Sequence, residues 1–129
     1  MIGGAAGDAL GYAVEFLDND AIRRHFGDHG ITEYSIDRLA HKAVISDDTQ
    51  MTLFTAAGLL NAYTRHDLTG MLAAGEVKKA YAEWYRTQTE EYIQLTDGFA
   101  PAYRENVWLM DIPELYKRRA PGNTCLSAL

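Results

Sequence analysis

Four consecutive residues, Ser46-Asp47-Asp48-Thr49, put two carboxylates and two hydroxyls side by side where a loop is expected to enter a helix. Hard oxygen donors of this kind suit Mg²⁺, Mn²⁺ or Ca²⁺ better than zinc. The plainer account is that the acids complement the positive end of the helix macrodipole, worth about 0.3–1 kcal/mol. Against it, the following helix is nearly uncharged and reads as buried, and unneutralised neighbouring carboxylates near a protein interior are expensive. A bound cation would answer both difficulties.

A second pair of acids lies upstream. Gly4, Asp8, Gly11 and Glu15 follow at steps of four, three and four, so on a helix both carboxylates project from one stripe. Gly3, Gly7 and Gly11 line a face without side chains, which predicts close approach of another backbone. The alternative is a solvated helix face. Glu15, which ends the stripe, is the better functional candidate of the two.

The remaining polar and aromatic residues have ordinary explanations. His25 and His29 are four residues apart, but Gly27 between them breaks a helix that could pair them, and all four histidines, His25, His29, His41 and His66, suit surface or loop positions. Tyr81, Trp84 and Tyr85 fit a core better than a nucleotide platform. Cys125 lacks a histidine partner and is expected to be an inert, buried thiol. Lys117-Arg118-Arg119 suits a solvated helix end.

The elements that must position these groups read as helices. Residues 2–16 form the first, with a short one around Ala21 to Phe26 inside an otherwise irregular excursion over 17–45. From Asp48 to about Arg65 the chain is rich in helix formers and mostly apolar, as in a helix packed on several sides. Asp47 at the N-cap with Gln50 three residues on resembles a capping box. Residues 67–70 break the chain before a long amphipathic helix that carries Leu72, Val77, Ala80, Tyr81, Trp84 and Tyr85. Residues 95–102 read as loop, and Asp111-Ile112-Pro113 as the start of a short helix through about Arg119. Asn123-Thr124 caps a last helix that is cut after barely one turn. No alternation long enough for a strand appears, so the fold class is all-α.

With 129 residues, 47% hydrophobic and 23% charged, the chain can bury a core and fits one domain. A net charge of −6 argues against general nucleic-acid or lipid-surface binding, because both need a basic face. A small anionic substrate remains compatible if a cation bridges it. Cys125 is the single cysteine, so no intrachain disulfide forms, and no basic segment precedes an apolar stretch. The cytoplasm is the default location. Met1 to Phe16, the longest apolar stretch, is broken by Asp8 and Glu15 and too short for a membrane span.

Gly7-Asp8-Ala9-Leu10-Gly11, Glu15-Phe16, Ser46-Asp47-Asp48-Thr49-Gln50-Met51 and Arg119-Ala120-Pro121-Gly122-Asn123-Thr124 together resemble the ADP-ribosylglycohydrolase family, in order and over essentially the whole chain. The resemblance implies a compact multi-helix orthogonal bundle, with residues 1–129 as the N-terminal portion of a single, truncated domain. It implies two divalent cations, Mg²⁺ or Mn²⁺, in a central cleft, with Ser46, Asp47 and Asp48 as ligands. It also implies that Glu15, Asp47 and Asp48 are catalytic and that Gly122, Asn123 and Thr124 touch the substrate. That substrate would be an ADP-ribosylated protein or a small ADP-ribose derivative, cleaved at C1 of the ribose. In the family the remaining ligands come from a later Asp-x-Asp-Ser/Thr motif, which residues 52–129 lack. Asp18-Asn19-Asp20 has the spacing but is followed by alanine and does not substitute. The family's glycine-rich loop and Met-Arg segment are absent as well.

Half a site predicts weak Mg²⁺ or Mn²⁺ binding and no hydrolysis of ADP-ribosyl-arginine by this chain alone. It also predicts exposed apolar surface that a homodimer or a complementary C-terminal fragment would cover. Two rivals are a non-catalytic helical module derived from the family and a Mg²⁺-dependent phosphohydrolase. The latter should show His-Asp or Glu-x-x-Glu pairs; this sequence has no Glu-x-x-Glu, and its one His-Asp pair, His66-Asp67, stands alone at the expected break between two helices.

Overall fold

The computed structural model describes residues 1–65, 70–92 and 108–127. Five α-helices carry it: α1 (Ile2–Gly11), α2 (Asn19–Phe26), α3 (Asp47–Thr64), α4 (Gly70–Thr89) and α5 (Asn123–Ser127). Short 3₁₀ turns lie at Tyr12–Val14, Trp108–Asp111 and Pro113–Tyr116. Among the described residues there is no strand, only an isolated antiparallel bridge between Asp37 and Lys42, so the fold is all-α. No helix among these residues is long and apolar enough to cross a membrane. The loop expected over 95–102, the break at 67–69 and His66 lie outside the described residues. The chain divides into two compact units, Met1–Thr49 and Gln50–Leu129.

The first unit is held by polar contacts more than by an apolar core. α1 stops at Gly11, earlier than the sequence suggests, and tightens into the 3₁₀ turn that ends at Glu15. Among the described residues its glycine face meets nothing: a Cβ built at Gly3, Gly4, Gly7 or Gly11 would find no atom within 4 Å. No described residue makes the close backbone approach expected from those glycines. α2 begins at Asp18, whose carboxylate accepts the Ala21 amide at 2.7 Å, and ends at Gly27, where φ of 79° suits a residue without a Cβ. Beyond it, Asp37 Oδ1 accepts the amides of Leu39 (2.9 Å) and Ala40 (2.7 Å), an Asx-type turn that shapes the excursion before α3.

The second unit has the core. Phe54, Ala57, Ala80, Trp84, Leu109, Met110 and Leu115 are buried together, with Met51, Leu53, Tyr81 and Ile112 packed against them. On α3 the buried positions Gln50, Phe54, Ala57 and Ala62 form one face, while Thr52, Leu59, Leu60 and Tyr63 are exposed. α3 is thus one-sided here, where its composition suggested packing on several sides. α4 buries Glu76, Ala80, Glu83, Trp84, Thr87 and Gln88 on one face, leaving Leu72 and Tyr85 exposed. The two helices cross very closely at Gly58. A Cβ there would lie 2.7 Å from Val77 Cα and 2.9 Å from Glu76 O, backbone atoms that cannot turn aside. Only glycine permits this crossing. The short helix expected over 112–119 is instead a single 3₁₀ turn, Pro113–Tyr116, preceded by the turn Trp108–Asp111, since Pro113 starts a new turn with no side-chain cap at Ile112.

Candidate functional site

The acidic turn begins α3, but its cap is not the one the sequence suggests. Asp47 is already helical, and the Asp48 amide donates to Ser46 Oγ at 3.1 Å, so Ser46 takes the N-cap role. In a capping box the residue three positions after the cap reaches back to the cap's own amide. Here that residue is Thr49, and its hydroxyl instead donates to Asp8 Oδ2, which also accepts the Ser46 amide at 2.9 Å. A carboxylate from α1 therefore completes the cap from outside the helix. Gln50 takes no part in it.

These bonds leave Ser46, Asp47 and Thr49 buried and Asp48 exposed. Glu15 lies in the same electrostatic neighbourhood. Partial loss of water, then the negative charges of Asp47, Asp48 and Asp8, raise its carboxyl above the ordinary range. Glu15 thus feels three other carboxylates around a single helix start, all within the first unit.

The donor set suits a hard divalent cation on one side. Ser46 Oγ accepts one amide and retains a second lone pair, and two carboxylates adjoin it in sequence. Among the described residues, however, no three His, Cys, Asp or Glu side chains converge into a cage for a metal ion. A cavity of about 180 Å³ in the first unit is lined by Tyr12, Ala13, Ser35, Asp37 and Val44, and by none of the four clustered acids.

Gly122, Asn123 and Thr124 belong to the second unit, at the start of α5, and all three are exposed. Buried Pro121 anchors the turn before them, and Ala120 adopts φ of 58°, a left-handed conformation that costs an alanine about 1–2 kcal/mol. Cys125, expected to be buried, is half-buried and free.

Two features escaped the sequence. The first is Gln50, 1% exposed, whose side chain makes four bonds. Its Oε1 accepts Trp84 Nε1 (3.2 Å) and Gln88 Nε2 (3.0 Å), and its Nε2 donates to the carbonyls of Lys117 (3.0 Å) and Leu115 (3.4 Å). The second is a pair of buried acids on α4. Glu76 Oε1 accepts Lys79 Nζ (2.7 Å) and Arg65 (3.1 Å), and the Lys79 bond leads in holding its carboxyl below the usual value. Glu83 has no hydrogen-bond partner on either oxygen, and burial pushes it up to about 7, against a smaller opposing pull from Arg86. A lone glutamate at heptad spacing from another gives no sign in sequence that its charge will be buried.

Glu83 carries a pH dependence with a definite sign. Its folded-state value is raised, so its contribution to stability is full below about 4.5 and is lost as the pH rises through about 7. Glu83→Gln should therefore match wild type near pH 5 and exceed it by about 2–3 kcal/mol at pH 8. Urea denaturation at the two pH values measures this. Equal midpoints for the two proteins at pH 8 would refute it.

No curated protein and no solved structure matches the chain. The family model for ADP-ribosylglycohydrolase matches residues 1–129. Since that span takes in α1 with its Gly-Asp pair, the capped acidic turn and the Pro-Gly-Asn-Thr turn alike, the chain belongs to the ADP-ribosylglycohydrolase family.

Proposed function

We propose that Ser46, Asp47 and Asp48 form one side of a site for divalent cations, Mg²⁺ or Mn²⁺, two in the complete site. The site would serve a hydrolase that removes ADP-ribose from a modified side chain or small acceptor. The observation that carries this is the cap: the amides of Asp48 and Ser46 are served by Ser46 Oγ and Asp8. The two acids of the turn are therefore not needed as side-chain caps for these amides, and the macrodipole rewards an acid there by only about 0.3–1 kcal/mol, little against the cost of gathering carboxylates near a buried turn. Membership of a hydrolase family supplies the reaction class.

A cation bound at this turn would supply Lewis-acid activation of ribose hydroxyls and a water. The chain's own residues would do the rest. Asp47 and Asp48 favour positive charge that develops at the ribose C1 as the glycosidic bond breaks. Glu15, its carboxyl raised by its surroundings, is a stronger base than an ordinary carboxylate and is placed here as acceptor of the water's proton. Gly122, Asn123 and Thr124 offer exposed backbone and side-chain donors for the substrate.

A second reading, a non-catalytic helical module, draws on the missing third ligating side chain among the described residues. Titration with Mn²⁺, with and without ADP-ribose, separates the two. Weak saturable binding that ADP-ribose strengthens is the expected result, and no saturable binding under either condition would favour the module. Release of ADP-ribose from ADP-ribosyl-arginine by the chain alone is not expected, because residues 52–129 hold no Asp-x-Asp-Ser/Thr motif. Robust turnover would show that the site is complete without it.

A further inference from the structure

We infer that Asp8 is a positioning residue for the acidic turn: its carboxylate bridges the Ser46 amide and the Thr49 hydroxyl, and so orients the ligands without itself binding the cation. This rests on the proposal that Ser46, Asp47 and Asp48 bind Mn²⁺ or Mg²⁺.

The geometry separates Asp8 from the acids it supports. One oxygen, Oδ2, accepts two donors that bracket Asp47 and Asp48 on either side, from Ser46 and from Thr49. An N-cap residue has non-helical backbone while the next is helical, so the chain bends where the two acids emerge. Thr49 has a side chain too short to close the box on the Ser46 amide as a glutamate or glutamine would. Asp8 takes over that task from α1, with charge-assisted bonds about twice as strong as neutral ones. Both donors and the acceptor lie inside one compact unit, Met1–Thr49. Oδ2 spends its two lone pairs on these donors, so the oxygen that holds the turn is not one a cation could take, whereas Ser46 Oγ keeps a lone pair. The Gly-Asp pair of the first helix thus gains a role distinct from that of Glu15, seven residues on.

The test compares the full chain with Asp8→Ala, Asp8→Asn and Thr49→Val. Mn²⁺ affinity is read from the electron paramagnetic resonance of the free ion, and the Ser46 amide is followed by hydrogen exchange. Asp8→Ala should weaken Mn²⁺ about 10–100-fold, the range for groups that orient ligands, and speed exchange at Ser46. Asp8→Asn, whose carbonyl oxygen still accepts both donors, should stay within about threefold of wild type and restore slow exchange. Thr49→Val should weaken Mn²⁺ as well, because it deletes one donor and leaves the carboxylate. A ligand role predicts the reverse: Asp8→Asn as damaging as Asp8→Ala, and Thr49→Val neutral or tighter because a lone pair is released. That pattern, or unchanged affinity in Asp8→Ala, overturns the inference. If Asp8→Ala does not fold, Asp8→Asn and Thr49→Val still separate the two roles. A wild-type chain with no Mn²⁺ affinity overturns the metal proposal and this inference with it, whereas normal wild-type binding with the ligand pattern overturns this inference alone.

Discussion

Gln50→Met should lower the unfolding free energy by about 3–5 kcal/mol, although methionine is close in volume and apolar. The side chain is 1% exposed and satisfies four groups at once: the Trp84 indole, the Gln88 amide and the carbonyls of Leu115 and Lys117. Methionine fills the space but leaves buried donors and acceptors without partners, and each orphan costs about 1–3 kcal/mol. The sum is reduced because Gln88 Nε2 keeps a second acceptor in Thr87 Oγ1, at 2.8 Å, and because the losses share one network. Gln50→Glu should be no better, since a carboxylate cannot donate to the two carbonyls. Urea denaturation followed by tryptophan fluorescence gives the answer, and a loss under about 1 kcal/mol for Gln50→Met would show that water replaces the amide.

Asp47→Asn and Asp48→Asn should each reduce Mn²⁺ affinity at least about 100-fold, beyond the loss of an orienting group. An amide keeps an oxygen but loses the negative charge that repays dehydration of a divalent ion. Both variants should still fold, because asparagine keeps the shape and one accepting oxygen of the buried Asp47, and at the exposed Asp48 the macrodipole is worth only about 0.3–1 kcal/mol. They should also change Glu15. Asp47 and Asp48 are the two largest charge contributions raising its carboxyl, after desolvation, so removing either lowers its titration toward the ordinary value. Carboxyl chemical shifts followed with pH measure this directly. Full Mn²⁺ affinity in both variants would remove the acidic turn from the proposed site, and an unmoved Glu15 would show that partial loss of water alone perturbs it.

The capped turn shows how far local pattern carries. Ser-Asp-Asp-Thr announces a helix start rich in hard oxygen donors, and the structure has α3 starting at Asp47. Which residue caps it was not legible. Asp47 with Gln50 and Ser46 with Thr49 have the same three-residue spacing, and both pairs contain a good cap. What decides between them is Asp8, 38 residues before Ser46, whose carboxylate rewards the register in which Ser46 and Thr49 face it. Gln50, released from the cap, lies in the core face of α3 and meets partners 34 to 67 residues away.

The sequence by itself determined the all-α class, the extents of α2 and α3 to within a residue or two, the presence of α4, the aromatic core position of Trp84 and the family. These follow from periodicity, caps and breakers, which act over a few residues, and from three motifs in order. Tertiary structure alone decided the rest. The glycine that mattered was Gly58, not the stripe of α1, because close approach depends on which helix arrives. Glu83 acquired a raised carboxyl because the core closed over it without supplying a donor. Asp8, indistinguishable in sequence from a ligand or a solvated acid, became a support for the acidic turn because only the folded chain brings α1 to the start of α3. Helix propensity is a property of neighbours in sequence, whereas the partner of a buried polar group is a property of neighbours in space.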